Sequence, residues 1–332
     1  MLDVDEADTV RLTVAQAAAL GTYALGRIGY SAEDAQVIVG QLVDNALSGY
    51  TFAGLPRILT IAADAKTRGP RTSVRVVHET ELSAVIDGGN NVGYVSAYRA
   101  AELAIRKANE KGFCSIGVYN SYYSGRNAYY AEMIAREGLV VFHIASGEPR
   151  VLPLGGAKPA LGTNPICFGF PSREGPVVVD MGTSSLMMGD LRYHARIGKP
   201  LPEGVAVDAH GAPTRDATAA LDGGILPFGG YKGFGLSFAV QALGLLAGAQ
   251  LSRGQVQDFG FLFWAIKPEL MLPGGDFHAQ MAELVRKIKD TPRQPGCNEI
   301  RIPSERAHRE RELRRVEGIV LERRIIEAIK AV

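Results

Sequence analysis

The chain has 332 residues, about two domains' worth by length, and its 46% hydrophobic and 21% charged content is that of a globular protein with a real core. With 36 basic and 35 acidic residues the net charge is +1, which removes the electrostatic case for nucleic acid or an anionic membrane as the main partner. Cys114, Cys167 and Cys297 are too scattered for a zinc site or a disulfide framework, so buried free thiols and no metal are expected.

The first residues, MLDVDEADTVRL, are acidic and lack the order of a signal peptide. No apolar run is long enough to span a membrane, so a cytoplasmic protein is expected. Residues 13–29 place Ala and Leu at helical spacing between a Thr13 cap and a Gly29 stop. Ser31 with Asp34 resembles a capping box and opens a helix to about Ser48. Pro56 starts a third helix running to Lys66. Together, residues 1–72 form a helical unit.

From residue 73 the pattern changes. SVRVVHET and ELSAVIDG read as strands joined by a turn, a helix follows over 94–111, and FCSIGVYN and GLVVFHIAS are short apolar strands. Helix-then-strand units predict an α/β domain over 73–303, its sheet covered on at least one face. Residues 146–184 and 222–235 are rich in glycine and proline, as functional loops are. The second loop runs into an apolar helix, LSFAVQALGLLAG. The charged helices of 304–332 carry an apolar stripe and are expected to complete the helical unit.

The usual nucleotide fingerprints fail. No G-x-G-x-x-G follows a strand, and Lys232 is followed by Gly233 rather than the Ser or Thr of a P-loop. GGYKG still suits an anion, because glycines let backbone N–H groups approach a phosphate and Lys232 adds a charge; on local sequence alone a plain turn capping the next helix is the favoured reading. Asp180 follows a buried-strand run and precedes small hydroxyl residues, which fits an active-site carboxylate or an Asx cap of the next segment. Thr163 and Asn164 are uncharged hydrogen-bonders in a turn, and Arg57 in a helix's first turn would by default make a surface ion pair.

Taken in order, the segments Gly49 to Arg57, NSYYSG (120–125), PLGGAKPALGTNP (153–165), DMGTS (180–184), LPEG (201–204), DAHGAPTRD (208–216) and PFGGYKGFGL (227–236) resemble the malate/L-lactate dehydrogenase family over nearly the whole chain. This is the non-Rossmann family that includes ureidoglycolate, sulfolactate and diketogulonate enzymes and the cyclic-ketimine reductases. The resemblance implies an α/β, non-Rossmann NAD(P)-binding fold with the helical unit made by both chain ends. It also implies NADPH or NADH as cofactor, with NADPH preferred, and a homodimer whose active site lies near the subunit interface. Carried over by position, Pro176, Val177, Val178, Val179, Asp180, Met181, Gly182, Thr183 and Ser184 would lie along the cofactor. Tyr231 and Lys232 would contact it, as would Ser304, Glu305 and Arg306, with Ser304 in place of the family's glycine. Arg57 would clamp the substrate carboxylate through paired N–H donors.

The family reads G-x-x-S-H-G-x-x-R where this chain has Phe52 for the serine and Ala53 for the proton-donating histidine. A second family histidine, in N-S-x-H-x-G, is Tyr123. The scaffold is kept and the usual acid is gone. Ketone reduction makes an alkoxide that needs a proton, whereas a cyclic imine can enter as an iminium that already carries one. The expected activity is therefore reduction of a cyclic imine bearing a carboxylate. Tyr50, Phe52, Tyr122 and Tyr123 would present aromatic faces to the cation and Asp180 would steady its charge. One alternative is a 2-oxo acid reductase with Tyr50, Tyr122 or Tyr123 as donor, its acidity raised by a cation such as Arg126. A non-catalytic cofactor-binding relative is the other. Phe52, Ala53, Tyr122 and Tyr123 could also be simple packing.

Overall fold

The computed structural model describes residues 8–251 and 253–332, so the acidic first residues lie outside it. In chain order the elements are β1 (Thr9–Leu12), α1 (Val14–Arg27), α2 (Ala32–Leu47), α3 (Arg57–Ala63), α4 (Ala65–Arg68), β2 (Arg75–Glu79), β3 (Ser83–Val92), α5 (Gly93–Lys111), β4 (Phe113–Tyr122), α6 (Asn127–Arg136), β5 (Val140–Ser146), β6 (Ile166–Phe170) and β7 (Val177–Met181). There follow α7 (Met188–Ile197), β8 (Ala206–Val207), α8 (Ala217–Asp222), β9 (Gly224–Ile225), α9 (Tyr231–Leu246), β10 (Gly260–Ile266), α10 (Phe277–Lys289), α11 (Glu305–Glu317), β11 (Ile319–Glu322) and α12 (Arg323–Ala331).

The two chain ends meet. β1 pairs antiparallel with β11, α12 packs on α1 and α3, and α11 lies against α2. Thr13 caps α1 in a full capping box with Gln16, and the Ser31 hydroxyl accepts from the Asp34 N–H to start α2. The helix expected from Pro56 to Lys66 is broken at Asp64, whose extended backbone and side-chain bond to the Lys66 N–H start a separate turn.

Seven strands form the main sheet in the order β2-β3-β4-β10-β5-β6-β7. Only β3 and β4, joined through α5, run parallel; the other neighbours are antiparallel. Both faces are covered. Along β10, Phe261, Phe263 and Ala265 point into the core shared with α5 and α6, whereas Leu262 and Trp264 join a second core under α9. Paired with β4 on one side and β5 on the other, β10 is the middle of the sheet, although no sequence pattern marks it. The stretch 146–184 is also less irregular than expected, since it contains β6 and the edge strand β7. Cys114 and Cys167 are buried thiols as expected, but Cys297 is exposed. No described helix is long and apolar enough to cross a membrane.

Candidate functional site

A cavity of about 910 Å³ opens between the helical unit and the β5–β6–β7 end of the sheet. The turn after α2 brings Tyr50, Phe52, Ala53 and Arg57 to it, the loop between β4 and α6 brings Tyr123, and the edge strand brings Val178, Val179, Asp180, Met181 and Gly182. Thr163, Asn164 and Ser304 complete the expected residues on its wall. The β4–α6 loop can pass this close because residue 125 is glycine: its φ is +79°, and a Cβ there would lie 2.2 Å from Gln41 Oε1.

Backbone strain gathers at this cavity. Five described non-glycine residues have positive φ, and three of them line it: Tyr123 (53°), Asn164 (39°) and Ser304 (66°). Such conformations cost about 1–3 kcal/mol each and concentrate at functional sites. Ser304 adopts the left-handed backbone suited to the glycine it replaces, and its hydroxyl donates to the Val178 carbonyl at 2.8 Å, holding the start of α11 to the edge strand.

Arg57 is the cavity's distinctive cation. Its Cζ lies 5.5 Å from the Phe52 ring centroid and 5.8 Å from that of Tyr123, and it faces the buried Tyr94 hydroxyl. Its Nε is buried without a hydrogen-bond partner, and no described carboxylate is within ion-pair distance. Two cavity asparagines also have unmatched amide atoms, Nδ2 of Asn127 and Oδ1 of Asn164, in side chains that are almost fully buried. Buried polar atoms are normally satisfied, so these three stand out among the cavity residues.

Tyr123 donates its phenolic proton to Asp64 Oδ2 at 2.7 Å. Burial raises its pKa well above the ordinary phenol range, and the neighbouring Asp64 carboxylate raises it further. Arg126, expected beside this phenol as an acidifying cation, is turned instead to Asp44 at 2.5 Å and Glu132 at 3.4 Å. Asp180 opens into the cavity and its Oδ2 accepts from the Ala128 N–H at 2.8 Å, in the first turn of α6. Crowding by protein raises its pKa, and the α6 backbone opposes that rise. The cap reading of Asp180 is thus realised on a helix 52 residues away rather than on the following segment. Among the described residues no histidine lines the cavity; His143 lies in the core stacked on Phe263, where burial pulls its pKa down to about 3.

Several expected site residues stand apart from the cavity. Tyr122, the last residue of β4, is fully buried with its hydroxyl on Thr67 at 2.6 Å, while the left-handed backbone of Tyr123 just past the strand turns that ring the other way. Pro176 and Val177 lie at the outer start of β7, and Thr183 and Ser184 are buried beyond its end, bonded to the Thr163 and Leu186 carbonyls. Tyr231 and Lys232 form the exposed first turn of α9, Tyr231 being 70% exposed. Glu305 is bound to Arg309 and Lys289, and Arg306 stacks on the Tyr50 ring at 4.8 Å, next to the cavity. Sequence reasoning missed Tyr94, Asn127, Glu148, Arg192 and Phe259 on the wall, which sit in ordinary helix and loop patterns that carry no motif.

The sequence model of malate/L-lactate dehydrogenase matches residues 12–330. An L-sulfolactate dehydrogenase of Methanothermobacter thermautotrophicus is 36% identical over 315 residues, covering 90% of this chain and 89% of that protein. A Δ1-pyrroline-2-carboxylate/Δ1-piperideine-2-carboxylate reductase of Pseudomonas putida is 34% identical over 259 residues, 74% of this chain and 73% of that protein. The crystal structure of Δ1-piperideine-2-carboxylate reductase from Pseudomonas syringae superposes with a TM-score of 0.88 at 28% identity, over 97% of this chain and 99% of that one. A match that runs almost end to end in both sequence and fold makes this chain a member of the malate/L-lactate dehydrogenase family, and so a nicotinamide-dependent oxidoreductase.

Proposed function

We propose that this chain reduces the C=N bond of a small cyclic imine bearing a carboxylate, with NADPH preferred over NADH as the hydride source. The observation that carries the reading is the hydrogen bond from Tyr123 to Asp64 at the position of a family histidine. A phenol that already gives its proton to a carboxylate, and whose ionisation would set two anions side by side, is a poor acid toward substrate. A ketone needs that proton as its oxygen becomes an alkoxide, and such help is worth roughly 10²–10⁴-fold. An iminium arrives with its proton and leaves as a neutral amine. The reductase relative from Pseudomonas putida, named for two cyclic imine carboxylates, supports the same reading.

The nicotinamide, when bound, supplies the hydride. A carboxamide offers one donor pair and one acceptor, which suits the unmatched Asn164 Oδ1 and Asn127 Nδ2 on the wall. Arg57 takes the substrate carboxylate through two N–H groups. The aromatic rings have a different task from the one first expected. Phe52 and Tyr123 face Arg57, and Tyr50 faces Arg126 and Arg306, so they orient guanidinium groups. Asp180 then supplies the negative charge for the iminium.

The same proposal includes a homodimer. The outer face of α9 exposes Phe238, Leu245 and Leu246 around the small Gly235, Ala239 and Ala242, and this apolar stripe is self-complementary in size. The loop leading into α9 bonds its Phe228 N–H to the Thr183 carbonyl, next to Gly182 of the cavity wall, which would put the site near the interface.

The test is oxidation of NADPH and of NADH against Δ1-pyrroline-2-carboxylate, Δ1-piperideine-2-carboxylate and open-chain 2-oxo acids. Turnover of the imines at least tenfold faster is expected; turnover of the ketones alone defeats the reading. A second reading, 2-oxo acid reduction with Tyr123 or Tyr50 as donor, is favoured by the 36% identity to the sulfolactate dehydrogenase. Under it, Tyr123→Phe lowers ketone turnover by about 10²-fold or more.

A further inference from the structure

Two guanidinium groups on the cavity have no anionic partner among the described residues. One is Arg57. The other is Arg192, on α7, which is exposed, lines the same cavity and makes no hydrogen bond or ion pair there. The remaining cavity arginines are matched, Arg126 by Asp44 and Glu132 and Arg150 by Glu148 at 2.6 Å. Asp180 and Asp190 also line the cavity, but neither is within ion-pair distance of Arg57 or Arg192.

The two unmatched cations flank one stretch of wall. Gly189 of α7 seats on Phe52, so closely that a Cβ there would come 3.0 Å from the ring. That ring is the one under the Arg57 guanidinium. Arg192 follows Gly189 by three residues and therefore shares its helix face. Its charge also reaches the Tyr123 phenol, whose ring is the other neighbour of Arg57. A ligand with a single carboxylate would neutralise only one of these two cations.

We infer that the substrate carries two anionic groups, one held by Arg57 and the second by Arg192. On the imine reading, this makes it a cyclic imine with two carboxylates or an equivalent second oxyanion. Arg192 is then the residue that selects diacids over monoacids.

The probe is calorimetric titration of the full chain, with and without NADPH, by pyridine-2,6-dicarboxylate and by pyridine-2-carboxylate. These are planar acids that cannot be turned over. The diacid should bind about 10–100-fold tighter, the worth of one charge-assisted hydrogen-bonded contact. Arg192→Gln should bring that ratio to about 1, and Arg57→Gln should weaken both acids. Arg196→Gln removes the same charge one turn further along α7, outside the cavity, and should leave the ratio as in the wild type. Equal affinities in the wild type, binding of neither acid, or a ratio that survives Arg192→Gln would overturn the inference. So would an Arg192→Gln variant that loses only NADPH affinity, which would give this residue to a cofactor phosphate. Turnover measured separately for imines and for 2-oxo acids keeps the two readings apart. A diacid preference confined to ketones would retain Arg192 and sink the imine reading, and a monoacid preference among imines would do the reverse.

Discussion

Replacing Arg311 tests how the last long helix is held against the site. Arg311 of α11 is 3% exposed and places Nη2 2.8 Å from Glu132 Oε2 on α6 and Nε 2.8 Å from Asp44 Oδ1 on α2. Burial alone would raise the Glu132 carboxyl, but His308, Arg126 and Arg311 hold it down to about 2 against an ordinary 4.5. At about 1.4 kcal/mol for each tenfold, that gap is worth about 3 kcal/mol. Because the folded-state value is depressed, this stability is complete above pH 4.5 and is lost as pH falls through about 2. Arg311→Met would leave Glu132 buried with only Arg126 nearby and the more distant Arg136 and His308 at the rim. Removing one partner of a buried pair costs about 3–5 kcal/mol, and the retained Arg126 places the expected loss at the lower end, about 3 kcal/mol. The variant's carboxyl would protonate more readily, so the loss should be largest at pH 7 and shrink at pH 4. Urea unfolding of both proteins at the two pH values measures it. A difference below about 1 kcal/mol, or one that does not change between pH 7 and pH 4, would refute the reasoning.

Two other substitutions read out strain and assembly. Ser304→Ala keeps the φ of 66° and removes the bond to the Val178 carbonyl, so it should destabilise by about 1 kcal/mol, whereas Ser304→Gly loses the bond but relieves the backbone and should be near neutral; thermal denaturation of the pair gives the sign. Phe238→Asp on the outer face of α9 should halve the mass seen by light scattering if that face meets a second copy, and an unchanged mass would reject this interface.

Where short-range chemistry governs, sequence and structure agree. Thr13 and Ser31 cap the helices they were expected to cap, since a cap needs only a hydroxyl within three residues of a free N–H. The alternating strands and the crossover helix α5 follow from periodicity. The loss of the histidine at Ala53, and the ordered motifs that make the loss visible, are likewise properties of the sequence alone. What it left undecided depends on partners far along the chain. β10 sits at the sheet's centre, paired with β4 and β5 and with its two faces in different cores, and the helix from Pro56 ends at Asp64, which bonds the nearby Lys66 N–H and also Tyr123, 59 residues away. Tyr122 and Tyr123 are neighbours with the same chemistry, yet the last residue of β4 is buried and the next, in a left-handed backbone just past the strand, turns to the cavity. Arg126 at the start of α6 and Arg192 within α7 are the same residue type, and only tertiary packing neutralises the first with Asp44 and Glu132 while leaving the second unmatched on the cavity wall. A residue's type fixes which interactions it can make, and the fold decides which partner comes within reach.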